Sequence, residues 1–191
     1  MANKFPNYDS AQKWPASDPI PDESGIYAIF LRSTDSLPDE WKDILKREDH
    51  LLYIGKAKKN EKAKNIGKAK TGLNKRLQKH FMASDSTKVT FRRSVGAVLR
   101  EFLNLKPCFH SSASSEGQYS FWNEEALSKW IRGNCFFSYQ MLPSEEAKET
   151  ERLHIHNLCP PLNINDNPRK IGKVKDARKE CAEIAKQASS N

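Results

Sequence analysis

A run of acidic residues follows Pro143-Ser144 and predicts a helix that reaches about Leu158, just before Pro160-Pro161. With Glu151 as origin and about 100° per residue, Ala147 falls at about −40°, Ile155 at about +40° and Leu158 at about −20°. Glu151 thus stands in the middle of the apolar stripe. Glu145, Glu146 and Glu149 fall between about 120° and 220°, on the opposite face, and Leu153 lies there too at about 200°. A carboxylate on a buried face is costly unless a cation pairs with it or it binds a metal. Arg76 is a candidate partner; a metal site is the other reading. A cleft holding an arginine, a histidine and a half-buried glutamate in a basic chain has the parts for phosphodiester hydrolysis. The carboxylate holds a divalent cation, and cation and guanidinium stabilise charge on the phosphate and leaving oxygen.

The arginine and histidine come from the segment GLNKRLQKHF, where Leu73, Leu77 and Phe81 recur at four-residue spacing and Arg76 and His80 flank their stripe. Tyr27 and Tyr53 lie in β-branched, apolar runs; taken alone they are core residues with a hydroxyl at the rim. His154, at about −60° on the Glu151 helix, is near enough to stand behind the carboxylate, whereas His156 is on the other side. Asn163 by itself implies a turn. Cys108, Cys135, Cys159 and Cys181 lack the close spacing of a structural zinc site and read as reduced, packed thiols.

Strands are expected at Gly25–Leu31, at Leu51–Ile54 and at Phe136–Leu142. Helices are expected around Pro38–Leu45, Leu73–Phe81, Ser94–Leu103, Asn123–Arg132, Ser144–Leu158 and, as a final exposed element, Lys173–Gln187. The order describes one α+β domain with a small sheet. Residues 1–23 read as an arm or irregular cover and 166–191 as a basic tail. Between them the domain carries a basic insertion at 56–70 and an elaboration at 88–132. No apolar run approaches the roughly 20 residues of a membrane span, and the first 20 residues carry no secretory signal, so a cytoplasmic protein is expected.

The net charge is +8, and it is concentrated. Residues 56–100 hold 14 Lys or Arg against Glu61 and Asp85, the footprint of a polyanion partner, although lysine-rich runs are often merely solvated. Candidate phosphate contacts are Lys56, Lys58, Lys59, Lys62, Lys64, Lys68, Lys70, Lys75, Lys79, Arg92 and Arg93. Arg92 and Arg93 stand near a helix start, where the dipole disfavours cations and a partner anion would relieve the conflict.

Taken in order, these residues resemble the GIY-YIG nuclease family: Gly25-Ile26-Tyr27, Tyr53-Ile54-Gly55 followed by Lys56, the Arg76/His80 helix, Glu151, and Pro161-Leu162-Asn163. The resemblance covers about residues 24–165. It implies a three-stranded antiparallel sheet flanked by helices, with the tyrosines, arginine and glutamate meeting in one groove. It further implies an endonuclease that hydrolyses DNA with one divalent cation, Mg²⁺ or Mn²⁺, on Glu151, of restriction, repair or mobile-element type. Arg76 would steady the scissile phosphate, Tyr27 activate or position the attacking water, Tyr53 orient it, and His80 draw the proton from Tyr27. Lys56 would serve as the nearby cation, with Lys70 as an alternative, and Asn163 would brace the site. The competing reading is a nucleic-acid-binding module that kept the fold and lost the chemistry. RNA stays open as a substrate, and double-strand cutting would suit a homodimer.

Overall fold

The computed structural model describes residues 5–59, 71–109 and 118–189. Most of the 56–70 insertion, including Lys62, Lys64, Lys68 and Lys70, and most of the loop at 110–120 lie outside the described residues.

The sheet is built on the strand β1 (Gly25–Leu31), every residue of which is buried. It pairs antiparallel on one side with β2 (Leu51–Ala57) and on the other with β5 (Cys135–Met141), giving the order β2-β1-β5. Strand alternation sends Tyr27, Ile29 and Leu31 to one face and Ala28 and Phe30 to the other. The first face is covered by α2 (Leu73–Met82), α3 (Thr90–Val98) and α4 (Glu124–Asn134), through Leu77, Phe81, Phe91 and Ile131. The second face packs on Ile155 of α5 (Glu146–Leu158), with Phe5, Tyr8 and Ala11 from the N-terminal segment. Both faces being covered explains why β1 is apolar throughout. Across from Ile29 and Phe30 the ladder of β2 skips Leu52, and this irregularity turns Leu52 and Tyr53 towards the same core.

A short helix α1 (Asp39–Leu45) joins β1 to β2, with Trp41 and Leu45 buried. Two-residue strands β3 (Pro107–Cys108) and β4 (Ser120–Phe121) form a separate ladder between α3 and α4. The last element, α6 (Gly172–Ala188), corrects the expectation of an exposed tail helix: Val174, Cys181 and Ala185 are buried in the main core, against α3 and β3. The third helix is also corrected, starting at Thr90 rather than near Ser94 and ending at Val98. The N-terminal segment is a cover: Gln12 exchanges both backbone hydrogen bonds with Phe137, and Trp14 stacks on Phe81 at 5.6 Å. The cysteines are free, as expected, with all but Cys159 buried. Among the described residues no helix is long and apolar enough to cross a membrane.

Candidate active site

Tyr27 sits directly opposite Gly55 in the β1–β2 ladder, and its ring crosses over that glycine. A Cβ on Gly55 would overlap the phenol, with Tyr27 Cε2 only 2.9 Å away. The glycine of the second tripeptide is thus the gap into which the tyrosine of the first one fits. Strand alternation and the Leu52 irregularity bring Tyr53 to the same face, its ring centroid 6.4 Å from that of Tyr27.

One turn apart on α2, Arg76 and His80 meet the Tyr27 hydroxyl. His80 Nε2 lies 2.6 Å from Tyr27 Oη, and Arg76 Nε donates to the same oxygen at 3.4 Å. Tyr27 and His80 are wholly buried, and Arg76 is half-buried. Burial pushes the Tyr27 phenol above its ordinary pKa, and only in part does the Arg76 charge offset this. Burial, then the charges of Arg76, Arg92 and Lys79, hold His80 well below the usual imidazole range, so the ring is neutral. With Arg76 donating to the phenol oxygen, the arrangement leaving fewest buried groups unsatisfied has Tyr27 O–H donating to His80 Nε2. The proton of His80 is then on Nδ1, a buried atom with no hydrogen-bond partner.

The carboxylate comes from the other side of the sheet. Alternation along β2 points Lys56 towards α5, where its ammonium pairs with Glu151 Oε2. Of the cations that could answer Glu151, Lys56 makes the contact in place of the candidate Arg76, which acts on the carboxylate through space. Glu151 retains 9% exposure, and burial raises its pKa above the ordinary carboxylate value despite Lys56 and Arg76. Asp166 adds to that rise, an acidic neighbour that the sequence had not singled out. Glu151 in turn acts electrostatically on Tyr27, Tyr53 and Arg76, so the two half-sites share one field. At the outer edge of β2, Tyr53, Lys56, Glu151 and Asn163 line a groove of about 680 Å³.

Asn163 fixes that edge. Its Oδ1 accepts from the Ile54 N–H and its Nδ2 donates to the Ile54 carbonyl, both at 2.9 Å. Leu162 N–H donates to the Leu52 carbonyl at 3.0 Å, so the chain after α5 is laid against β2. The asparagine is a brace and not a turn alone.

Of the predicted phosphate contacts, Lys75 and Lys79 are exposed on α2, Lys75 being 3.7 Å from Asp22. Lys58 is half-buried, Lys59 pairs with Glu23 at 2.5 Å, and Arg93 lines the groove. Arg92 is a correction. It is wholly buried and pairs with Glu124, donating also to Ser86 Oγ, Ser128 Oγ and the His80 carbonyl. The anion that relieves its place in the first turn of α3 is internal, so it is closed to a phosphate. Glu124, which also accepts from Ser86, Ser120 and Phe121, is therefore a residue that sequence reasoning missed, since this network holds the carbonyl of His80. In the sequence it is one of two adjacent acids on the first turn of α4, indistinguishable from ordinary helix-start acid. His154 is half-buried, edge-on to Phe5 at 5.5 Å.

A family model described as the GIY-YIG catalytic domain matches residues 25–181. No curated protein and no solved structure matched. The matched span takes in every residue of this site and most of α6.

Proposed function

The chain belongs to the GIY-YIG nuclease family, and on that premise we propose that it is a divalent-metal-dependent endonuclease acting on DNA. The observation that carries the reading is the hydrogen-bonded trio Arg76–Tyr27–His80 sharing an electrostatic field with the Lys56–Glu151 pair.

The residues fit a cation such as Mg²⁺ or Mn²⁺. Glu151 is one carboxylate, partly open to the groove, with its charge resisted by burial; a cation relieves that resistance. Among the described residues no group of three His, Cys, Asp or Glu gathers. Mg²⁺ suits such a site, since it keeps several waters and takes one or two carboxylates plus substrate phosphates. When bound, the cation supplies charge stabilisation at the phosphate and the leaving oxygen.

The chain's own residues do the rest. Arg76 is the half-buried member of the trio, so the scissile phosphate approaches from its side and receives its guanidinium. That anion offsets part of the cationic pressure on His80, making the imidazole a better proton acceptor. Tyr27 can then accept a proton from the attacking water as its own passes to His80 Nε2. The relay avoids a free phenolate, which a phenol of raised pKa would not supply near neutral pH. Tyr53 borders both the groove and the Tyr27 ring and orients the nucleophile. Lys56 holds Glu151 in place.

The test is incubation with supercoiled plasmid in Mg²⁺ or Mn²⁺, with an EDTA control, beside Glu151→Gln. The expected outcome is nicking or linearisation that EDTA and the substitution both abolish, with binding retained. Binding by the wild type without cleavage in either metal would overturn the enzyme reading and leave the inactive module.

A further inference from the structure

The groove lined by Tyr53 and Glu151 also runs along α6, from Lys175 to Lys186. Its lining includes Lys175, Arg178, Lys179 and Lys186 of that helix, with Arg93 of α3. At about 100° per residue these four α6 residues and Ala182 fall within an arc of about 100°, beside the buried stripe of Val174, Cys181 and Ala185. One side of α6 is thus bound to the core and the adjoining side is a cationic wall. On the far flank of that stripe, Glu180 pairs with Arg100 at 2.8 Å and Lys173 lies over the Trp41 ring at 4.6 Å, which fixes the helix further.

We propose that α6 is a phosphate track for the nucleic-acid strand, with Arg178 and Arg93 holding a backbone phosphate beside the scissile one and Lys175, Lys179 and Lys186 carrying the strand onward. The inference rests on the nuclease reading and deepens it by naming where the substrate lies. Six bases line the groove against three acids, Glu151, Asp166 and Glu183, and Glu183 is 3.7 Å from Lys179. Arg93 and Arg178 both line the groove, and burial and then the Arg178 charge depress the pKa of Arg93. Arg178 and Arg93 line the same groove as Tyr53 and Glu151. An anion between two like charges that line one groove lowers their mutual repulsion. From Lys175 to Lys186 the helix rises about 16 Å, the length of about five nucleotides of one duplex strand at about 3.4 Å each.

The experiment measures binding of a fluorescein-labelled DNA duplex by anisotropy, in EDTA, across a series of KCl concentrations. The triple variant Lys175→Gln/Lys179→Gln/Lys186→Gln changes exposed side chains only; the single Lys175→Gln and Arg178→Gln variants serve if the triple fails to fold. Each phosphate contact removed lowers the slope of log K against log salt by about 0.9, so the triple should lose about 2 to 3 and bind at least about tenfold more weakly. Lys129→Gln, on α4 and outside the groove, should leave slope and affinity unchanged. A wild-type protein that cuts plasmid while the α6 variants keep its slope would overturn the track and leave the nuclease reading standing. A wild-type protein that neither binds nor cuts DNA would overturn both.

Discussion

Gly55→Ala is the substitution for which the structure gives the sharpest consequence. The added methyl lands on the Tyr27 phenol, whose Cε2 would be 2.9 Å away and whose hydroxyl would be nearer still. Carbon contacts relax at about 3.5–4.0 Å, so the ring must move by about 1 Å or more. The strands cannot absorb this, because β1 is paired on both sides along its length. The ring therefore swings, and the 2.6 Å bond to His80 and the 3.4 Å bond from Arg76 are the contacts it loses. A misplacement of that size costs about 10²-fold in rate, rising towards about 10⁴-fold if the proton relay is lost outright. The orphaned buried groups should also cost about 1–3 kcal/mol of stability. Single-turnover plasmid nicking, with a urea melt on the same preparation, measures both. Tyr27→Phe gives the reference for a missing hydroxyl. Because both changes act through that hydroxyl, the double variant should be little slower than either single one. Nicking by Gly55→Ala within about threefold of wild type, at unaltered stability, would refute the reasoning.

Two further predictions concern stability. Asn163→Ala strands the buried N–H and carbonyl of Ile54, and unfolding in urea should show a loss of about 2–4 kcal/mol; a loss below about 0.5 would mean that the brace is not needed. His80 has a folded pKa below its unfolded value of about 6.5, so its contribution to stability is complete above that pH and declines as pH falls through it. Between about pH 6.5 and 5 the wild type should therefore lose stability faster than His80→Gln, by up to about 1.4 kcal/mol per pH unit, and parallel curves would contradict the neutral buried imidazole.

The three main strands and the helices carrying Arg76 and Glu151 were legible because their signals are local. β1 is an unbroken apolar run, α2 repeats its apolar residues every four positions, and Glu151 interrupts a stripe that is otherwise apolar. What escaped were choices settled by distant partners. Lys56 and Glu151 are 95 residues apart, and Arg92 and Glu124 are 32 apart, so no window on the chain shows that each cation is answered. The start of α3 was misplaced for the same reason: burying Arg92 is tolerable only once Glu124 is known. The seating of α6 was missed because Val174, Cys181 and Ala185 are small and sparse among charges, a pattern that reads as solvated until close packing on α3 is seen. Two-residue strands such as β3 and β4 are too short to show any periodicity.

The sheet has only three strands, and unpaired outer strands ordinarily invite another chain to add on. Here each border is already engaged: Gln12 occupies β5 at Phe137, and the Leu162–Asn163 segment occupies β2 at Leu52 and Ile54. Segments from before β1 and after α5 thus act as selvedges on a narrow cloth. At those positions the tyrosine-bearing core of the sheet is hemmed by its own chain, so the backbone groups of Phe137, Leu52 and Ile54 are closed to a strand from another copy.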